Sequence, residues 1–455
     1  MTIYALSSGP GTSGIAVIRV SGKETSNVIK KLTNNPLPSP RMATRTKFNK
    51  INSNELIDEG ILLWFPGPNS YTGEDMAEFH VHGSRAVIGA LHLSISKIDG
   101  CRLAEPGEFT KIGFQNGKFN LLEAESISDL IYSETEIQRQ QAVKVMSGKS
   151  SNKFNLLRKR LLKVLSNIEA KIDFPEDDLP ENILNNIHKE IKSIKIEIER
   201  LLNDQKVGER IREGFKIAIV GPTNAGKSSL LNYLSKRDVA IVSEIAGTTR
   251  DVIEAHLNLD GYPVVVSDTA GIREAKDEIE KKGIKLALKK AEESDLKIVV
   301  LHPENIDFKP FLMHSNSDNT IIVINKSDIK SGKFLDISDF LQTVNINKNL
   351  KNIKFLNISI KEEINLDFLI NSIKEKLKNK FISSDDIFIT RQRHRDNLEK
   401  CLDSLKSFEQ KKSLDDFDKA AEDIRLATRY LGMIVGKVDV EEILGSIFND
   451  FCIGK

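Results

Sequence analysis

Cysteine is scarce in this sequence, and its scarcity argues against a disulfide-bonded scaffold and against a zinc-binding one. The 455 residues include three cysteines, Cys101, Cys401 and Cys452, at irregular spacing. A disulfide framework needs paired cysteines and a zinc site needs regularly spaced ones, so neither is expected. No apolar run is long enough to indicate a membrane span or a signal peptide. We therefore expect a cytoplasmic protein in a reducing compartment, with no membrane contact.

Net charge is nearly absent as well. The 66 basic and 65 acidic residues leave a formal net charge of +1. The chain therefore has no global field that would attract a polyanion, and any contact with nucleic acid must depend on local basic patches. The composition does not locate such patches.

What the sequence does contain is enough length for three domains, each with its own core. Residues 1–118 mix alternating strands with a helical run from Arg85 to Ile98, which indicates an α+β domain. Residues 119–212 and 380–455 have apolar residues at helical steps, among them Leu156, Leu157, Leu161, Leu162, Leu165 and Ile168 in the first segment and Leu398, Leu402 and Leu405 in the second. We predict a multidomain fold in which these two segments build one α-helical bundle. An α/β domain, residues 213–379, is inserted between them.

Residues 221–229 read GPTNAGKSS and match the phosphate-loop pattern GxxxxGK[ST]. An apolar run, Ile217–Val220, precedes the loop, and a helix-like segment follows it. The two glycines let backbone N–H groups surround phosphate oxygens, Lys227 supplies a positive charge, and the Ser228 hydroxyl can hold Mg²⁺. The residues expected to bind the nucleotide here are Asn224, Ala225, Gly226, Lys227, Ser228 and Ser229.

Two later elements indicate which nucleotide is bound. The residues Asp268, Thr269, Ala270 and Gly271 match the DxxG element of GTPases, which holds Mg²⁺ indirectly and senses the γ-phosphate. After a second strand-like run come Asn325, Lys326 and Asp328, where a carboxylate can accept hydrogen bonds from the N1–H and the exocyclic amine of guanine. Adenine lacks this donor pair, so GTP is favoured over ATP. Further support for the base is expected from Ser359, Ile360 and Lys361.

A segment between the phosphate loop and Asp268 is placed to close over the γ-phosphate. Its expected nucleotide-binding residues are Ser243, Glu244, Ile245, Ala246, Gly247, Thr248 and Thr249, with Thr249 as the second hydroxyl ligand of Mg²⁺. Ras-like enzymes orient the attacking water with a glutamine just after the DxxG glycine, but this chain has Ile272 there. An apolar side chain cannot polarise water. Either another group does so or hydrolysis is poor.

Other segments extend the comparison beyond the nucleotide domain. They are residues 14–22 (GIAVIRVSG), 71–75 (YTGED), 106–110 (PGEFT) and 451–455 (FCIGK). Together with the GTPase elements and Ile272, they make the chain similar to the MnmE/TrmE family of tRNA-modifying GTPases, at both ends and in the middle. Many GTPases share the nucleotide elements alone, whereas a P-loop domain inserted before a C-terminal CxGK points to this family.

The resemblance implies how GTP hydrolysis is activated. A potassium ion would be held by Asn224 and by the backbone carbonyls of Ser243, Ile245 and Thr248. It would replace an arginine finger when two G domains meet in a homodimer. The catalytic residues implied are Asn224, Lys227 and Glu280, the last of which positions the attacking water indirectly.

The resemblance also implies a folate site in the N-terminal dimerisation domain. Arg19, Glu78 and Lys118 would bind 5-formyltetrahydrofolate or methylenetetrahydrofolate, with Lys455 contributing from the helical domain. Cys452 is a candidate nucleophile in this family, although a small buried residue near a helix end explains it equally well. The chain departs from the family pattern at Ile112 and Gly113, where Arg-Ala is usual, and at Asn120, where Asp is common.

The implied function is a potassium-stimulated GTP hydrolase acting with an FAD-containing MnmG-type partner in a heterotetramer. The pair would add a carboxymethylaminomethyl or aminomethyl group to C5 of the wobble uridine of certain tRNAs. One alternative is a GTP-dependent ribosome-assembly or RNA-binding switch without modification chemistry. Another is a folate-dependent one-carbon transfer enzyme that the G domain regulates.

Two histidines suggest a further hypothesis. His80 and His82 alternate in a strand-like segment, so both face the same side and form a candidate metal pair. No third ligand is evident in the sequence. Core or surface histidines are therefore the preferred interpretation.

Overall fold

The structure is a computed structural model that describes residues 1–173, 183–237, 254–268, 292–303, 318–329, 353–381, 387–411, 417–438, 447–448, 451 and 454. The chain divides into two compact units. The first unit comprises Met1–Ile131, Val145–Lys192 and Lys400–Lys455, and the second comprises Tyr132–Lys144 and Ser193–Glu399. The domain boundaries predicted at residues 118, 212 and 379 stay predictions.

A six-stranded sheet forms the N-terminal part of the first unit. Its strands are β1 (Thr2–Leu6), β2 (Ser13–Ser21), β3 (Thr44–Asn49), β4 (Leu56–Phe65), β5 (Met76–Gly83) and β6 (Cys101–Leu103). Their order is β3-β4-β5-β2-β1-β6, and the pairs are antiparallel except for β1 with β6. One face of the sheet is apolar because alternate residues point the same way, and it buries Ile18, Val20, Phe79 and Trp64.

Helices complete the first unit. Those near the sheet are α1 (Thr25–Thr33), α2 (Arg85–Ile95) and α3 (Glu108–Gln115). The helical part contains α4 (Leu121–Ile131), α6 (Lys149–Asp173) and α12 (Phe417–Val435), which contact one another. Three helices run across the boundary between the units: α5 (Glu136–Met146), α7 (Ile183–Leu202) and α11 (Gln392–Gln410).

The apolar pattern predicted for α6 is only partly buried. Leu157, Leu161 and Ile168 are inaccessible to solvent, but Leu156 and Leu162 are 53% and 39% exposed. Successive helical residues are 100° apart, so two neighbouring leucines cannot both lie at the centre of one buried stripe. The helix itself is where the sequence predicts one.

The second unit contains a mainly parallel sheet. Its strands are β7 (Phe215–Val220), β8 (Glu254–Leu259), β9 (Tyr262–Asp268), β10 (Leu296–Leu301), β11 (Thr320–Ile324) and β12 (Lys354–Asn357), in the order β12-β11-β10-β7-β9-β8. Only β8 runs antiparallel, against β9. The helices are α8 (Val207–Glu213), α9 (Lys227–Arg237) and α10 (Leu366–Phe381). The continuous apolar runs of β7, β10 and β11 are typical of parallel strands covered on both faces.

A buried ion cluster fixes α8 inside the second unit. Arg395, 5% exposed, donates to Glu209 Oε1 at 2.7 Å, to Asp204 Oδ1 at 2.6 Å and to the Leu202 carbonyl at 2.9 Å. The next residue of α8, Arg210, donates to Asp295 Oδ1 at 2.6 Å, immediately before β10. Two adjacent residues of this short helix, Glu209 and Arg210, therefore hold it to Arg395 and to Asp295 by charge-assisted hydrogen bonds.

The fold class is the one that the sequence predicts: an N-terminal α+β domain, a helical domain and an inserted α/β domain. Within the described ranges no helix is both long and apolar enough to cross a membrane.

Candidate nucleotide and ligand sites

The phosphate loop lies where β7 ends and α9 begins. Its two glycines have left-handed backbone angles, with φ of 148° at Gly221 and 100° at Gly226. A Cβ at Gly221 would lie 2.0 Å from the Val300 carbonyl oxygen, and one at Gly226 would lie 2.2 Å from Asn325 Nδ2. Both positions therefore require glycine for conformation and for space.

The loop lysine is buried at the base of the loop. Lys227 is 8% exposed, and its Nζ donates to the carbonyls of Gly221 at 2.9 Å and Pro222 at 2.8 Å. Ser228 and Ser229 follow in the first turn of α9 and are exposed, as is Asn224. Free backbone N–H groups and the helix dipole make such a helix start favourable for phosphate. Of the predicted phosphate-binding residues, Asn224, Ser228 and Ser229 are therefore accessible, whereas Ala225 and Lys227 are buried.

The predicted base-reading residues are brought to this loop. Asn325 Nδ2 donates to the Ala225 carbonyl at 2.9 Å, and Asn325 Oδ1 accepts from the Ile360 backbone N–H at 3.2 Å. One amide side chain thus joins the phosphate loop to the segment 359–361. The sequence placed all three elements in one site, and the structure brings them together because the carboxyl ends of parallel strands share one edge of the sheet.

Asp328 is held as an acceptor. Ser359 Oγ donates to Asp328 Oδ1 at 2.6 Å, and this hydrogen bond lowers the pKa of Asp328 below its ordinary value. The carboxylate is therefore ionised at neutral pH, the state that the guanine donors require. Lys361 is far more open, with a side chain that is 82% exposed.

Asp268 ends β9, and its backbone is in register with Ile219 of β7, just before the phosphate loop. The remaining predicted residues lie outside the described ranges, and their roles stay predictions. They are Ser243, Glu244, Ile245, Ala246, Gly247, Thr248, Thr249, Thr269, Ala270, Gly271, Ile272, Glu280, Cys452 and Lys455.

A second site centres on Arg19 in the first unit. Arg19 on β2 is in register with Glu78 on β5, and its Nη2 and Nε donate to Glu78 Oε1 at 2.9 and 3.2 Å. The guanidinium carbon lies 5.2 Å from the ring centre of Tyr71 and 5.7 Å from that of Phe109. Aromatic faces attract a cation at these distances, so the guanidinium is fixed by two rings and one carboxylate.

Tyr71 is itself held in place. Its hydroxyl shares a hydrogen bond of 2.8 Å with Thr110 Oγ1, and burial raises the pKa of Tyr71. The two predicted folate residues Arg19 and Glu78 are thus joined directly. Sequence reasoning did not find the aromatic partners of Arg19. Tyr71 lies in a loop and Phe109 in a helix, and neither carries a local signal that it shares a site with Arg19.

Lys118 is anchored on the loop that carries Tyr71. Its Nζ donates to the Pro68 carbonyl at 2.9 Å. Nearby, Gly113 explains one departure from the family pattern, since a Cβ there would lie 2.7 Å from the Phe119 ring and 2.9 Å from the Tyr71 carbonyl oxygen. The missing side chain thus lets the Tyr71 loop pack closely on α3.

The hydrogen bonds of Asn120 explain why this chain tolerates asparagine where aspartate is common in the family. Its Oδ1 accepts from the Glu123 N–H at 3.1 Å, and its own N–H donates to Glu123 Oε2 at 3.0 Å. This is a capping box at the start of α4, and asparagine serves in it as well as aspartate does.

The C-terminal segment also reaches β1. Ser7 Oγ donates to the Gly454 carbonyl at 2.7 Å, and Gly454, with φ of 93°, lies so close to Leu6 that a Cβ would be 2.1 Å from its carbonyl oxygen. Leu6 directly follows Ala5, the β1 residue in register with Arg19. Gly454 is therefore packed beside the strand that borders the Arg19 site.

The two histidines of β5 have different surroundings. His82, with a 71% exposed side chain, places Nδ1 2.9 Å from Asp58 Oδ1. Burial acts to raise the pKa of Asp58, but hydrogen bonds from His82 outweigh it and hold the pKa below its ordinary value. His80 Nε2 instead lies 3.5 Å from Glu78 Oε2. In the described ranges no group of three or more His, Cys, Asp or Glu residues is arranged to hold a metal.

Fold and site together define a P-loop protein of the GTPase class with an additional N-terminal α+β domain and a helical domain. Residues 2–118 match the family model described as GTP-binding protein TrmE N-terminus, and residues 121–452 match that of the MnmE helical domain.

Two relatives agree with these matches. The chain is 69% identical over 455 residues to the tRNA modification GTPase MnmE of Pelagibacter ubique, and 44% identical over 459 residues to that of Rickettsia bellii, with 100% of both partners covered in each case. A solved structure of Aquifex aeolicus Era bound to GDP and AlF4⁻ is 24% identical, with a TM-score of 0.28, and covers 44% of this chain and 68% of that one. The chain belongs to the MnmE family of tRNA modification GTPases.

Proposed function

We propose that this protein hydrolyses GTP in a potassium-stimulated reaction and, with an FAD-containing MnmG-type partner, modifies C5 of the wobble uridine of certain tRNAs. The added group would be carboxymethylaminomethyl or aminomethyl. The observation that carries the GTP part is the Asn325 side chain, which joins the phosphate loop to the segment that orients Asp328. Family membership supports the tRNA part.

In this proposal the chain supplies binding groups more than reacting groups. Lys227 and the N-terminal turn of α9 bind the β- and γ-phosphates, and Asp328 reads guanine. The exposed Ser228 hydroxyl in that turn fits a Mg²⁺ ligand, with Thr249 as its expected partner. The magnesium ion offsets phosphate charge when bound.

Of the four residues proposed to bind potassium, Asn224 lies within the described ranges. It is exposed and has φ of 63°, so its side chain stands on a left-handed turn open to solvent. That position fits a ligand shared with a second G domain in a homodimer. Ser243, Ile245 and Thr248 would add backbone carbonyls, and Glu280 would position the attacking water.

GTP turnover in KCl and in NaCl tests the potassium site. Faster turnover in KCl is expected because the ion would offset charge that develops on the phosphates. Asn224→Ala should remove the difference between the salts, and Glu280→Ala should lower turnover in both. Equal rates in the two salts would contradict the potassium assignment, and a wild-type rate for Glu280→Ala would contradict the role of that carboxylate.

The N-terminal site is proposed to bind a reduced folate, which would supply a one-carbon unit. Arg19 and Lys118 provide donors, and Glu78 accepts from N–H groups of the pterin, with Lys455 as a further expected donor. The residues fit such a ligand because a planar, polar molecule needs hydrogen-bonding atoms beside aromatic faces.

Nucleoside mass spectrometry of tRNA from a deletion strain tests the whole proposal. Loss of the modified wobble uridine, restored by the wild-type gene, is the expected result. Unchanged nucleosides together with altered ribosome profiles would instead identify a GTP-dependent ribosome-assembly switch. Unchanged nucleosides together with one-carbon transfer from folate would instead identify a folate-dependent transfer enzyme that the G domain regulates. We place the activity in the cytoplasm, where GTP and tRNA meet.

A further inference from the structure

His80 has a buried nitrogen without a hydrogen-bond partner, beside the Arg19 site. Its side chain is 28% exposed, but Nε2 is shielded from solvent and makes no hydrogen bond in the described part of the chain. A buried polar atom in this state is destabilising unless something else satisfies it. This nitrogen lies on the same face of β5 as Glu78, because residues two apart on a strand point the same way.

The neighbouring Glu78 carboxylate accepts hydrogen bonds from Arg19 through one of its two oxygens. Glu78 Oε1 accepts both hydrogen bonds from Arg19, while Oε2 faces His80 Nε2 at 3.5 Å and accepts none from the described residues. Each carboxylate oxygen can accept about two hydrogen bonds. Oε2 therefore remains available, and Arg19, held between the rings of Tyr71 and Phe109, keeps it in place.

We propose that His80 is a further ligand-binding residue of the N-terminal site and that its Nε2 and Glu78 Oε2 together contact neighbouring polar atoms of the bound reduced folate. The inference rests on the proposed folate binding. A fused heterocycle presents adjacent N–H, amine and carbonyl groups along one edge, and a neutral imidazole nitrogen can donate or accept according to its tautomer. Binding satisfies both atoms at once.

His82 provides the matched control. It lies on the same strand and the same side, but its ring already contacts Asp58 and its side chain is 71% exposed. Replacing His82 therefore changes the same kind of residue without touching the Arg19 site.

The test is isothermal titration of the full-length protein with 5-formyltetrahydrofolate. For His80→Phe, which keeps a ring but lacks the nitrogen, the Kd should rise about tenfold because one buried hydrogen bond is lost. His80→Gln, which restores a polar atom, should stay within about threefold of wild type, and His82→Gln should not differ from it. Wild-type affinity for His80→Phe overturns the role of His80 alone. An absence of binding by the wild-type protein overturns the folate site and this inference with it.

A second measurement follows ligand binding in the wild-type protein, and a variant serves only to assign one resonance. In protein labelled with ¹⁵N-histidine, addition of 5-formyltetrahydrofolate should shift the Nε2 resonance of His80, assigned with His80→Gln, and leave that of His82 in place. Binding with an unmoved His80 resonance overturns the proposal. A purely structural role for His80 does not predict a ligand-induced shift at this atom.

Discussion

The phosphate loop and the Arg19 site, which is the proposed folate site, are built in opposite ways. The loop takes its groups from consecutive residues, and much of its binding power is backbone N–H. The Arg19 site takes side chains from β2, β5, α3 and the Tyr71 loop, which are far apart in the chain. The loop lysine is satisfied by the loop's own carbonyls, whereas His80 Nε2 has no hydrogen-bond partner in the described ranges.

This difference shows what each site requires of the fold. A loop of consecutive residues needs one strand, one helix and two glycines in the correct places. A site of dispersed side chains needs the whole sheet in register. We therefore expect damage to the second unit to affect nucleotide binding and damage to the N-terminal sheet to affect folate binding, each without the other.

The largest effect is expected for Arg395→Ala in the second unit. Removal of this guanidinium leaves Glu209, 9% exposed at its side chain, as a buried charge without its partner. The free energy of unfolding should fall by about 3–5 kcal/mol. Thermal and denaturant unfolding measure this loss. Arg139→Ala, which breaks an exposed pair with Glu136 in the same unit, is the control and should have no measurable effect.

Lys227→Ala should weaken GTP binding about a hundredfold, because a charge-assisted contact to phosphate disappears. Fluorescent-nucleotide titration measures this change. Lys236→Ala removes an exposed lysine near the other end of α9 and should bind GTP as the wild type does. A parallel loss of folate affinity in Lys227→Ala would contradict the independence of the two sites.

Asp328→Asn should change base preference within the nucleotide site. The amide cannot accept two hydrogen bonds from guanine, so GTP affinity should fall roughly tenfold or more. Xanthosine triphosphate carries a carbonyl in place of the exocyclic amine, and its affinity should rise. Competition between the two nucleotides measures the change. Unaltered preference would show that Asp328 does not contact the base.

Glu78→Gln tests the Arg19 site. The ion pair with Arg19 is lost and one acceptor becomes a donor, so 5-formyltetrahydrofolate affinity should fall about tenfold while GTP turnover stays the same. Glu59→Gln on the neighbouring strand β4 replaces a carboxylate whose partner, Arg45, is exposed, and it should leave folate binding intact. Equal losses in both variants would indicate a general change in the sheet.

The smallest effect is expected at the start of α4. Asn120→Ala removes the capping side chain and should cost about 1 kcal/mol of stability. Asn120→Asp restores the residue common in the family and should lie within about 0.5 kcal/mol of wild type. Chemical unfolding of the two variants measures the difference. A large gain for aspartate would show that this departure from the family pattern is not neutral.

The sequence was sufficient to predict that the phosphate loop and Asp328 lie at one edge of the sheet, because the signals for these two elements are local. Glycines at fixed spacing and apolar strands determine both the loop and the sheet edge at which Asp328 arrives. The Arg395–Glu209 pair was out of reach, since 186 residues separate its members and many charged pairings are equally compatible with the sequence. Tyr71, Phe109 and the orphan nitrogen of His80 depend on sheet register in the same way. Leu156 and Leu162 show a third limit: helical spacing predicts a helix but not which adjacent leucine is buried.

The hydrogen bond between Ser7 and Gly454 joins two residues that are 447 positions apart in the sequence. During translation β1 emerges long before its C-terminal neighbour exists, so this corner of the N-terminal domain can form only after residue 454 has left the ribosome. Premature termination anywhere before that residue would leave the corner unfinished. The position of Gly454 thus delays completion of this corner until the helical segments between the two residues have also been translated.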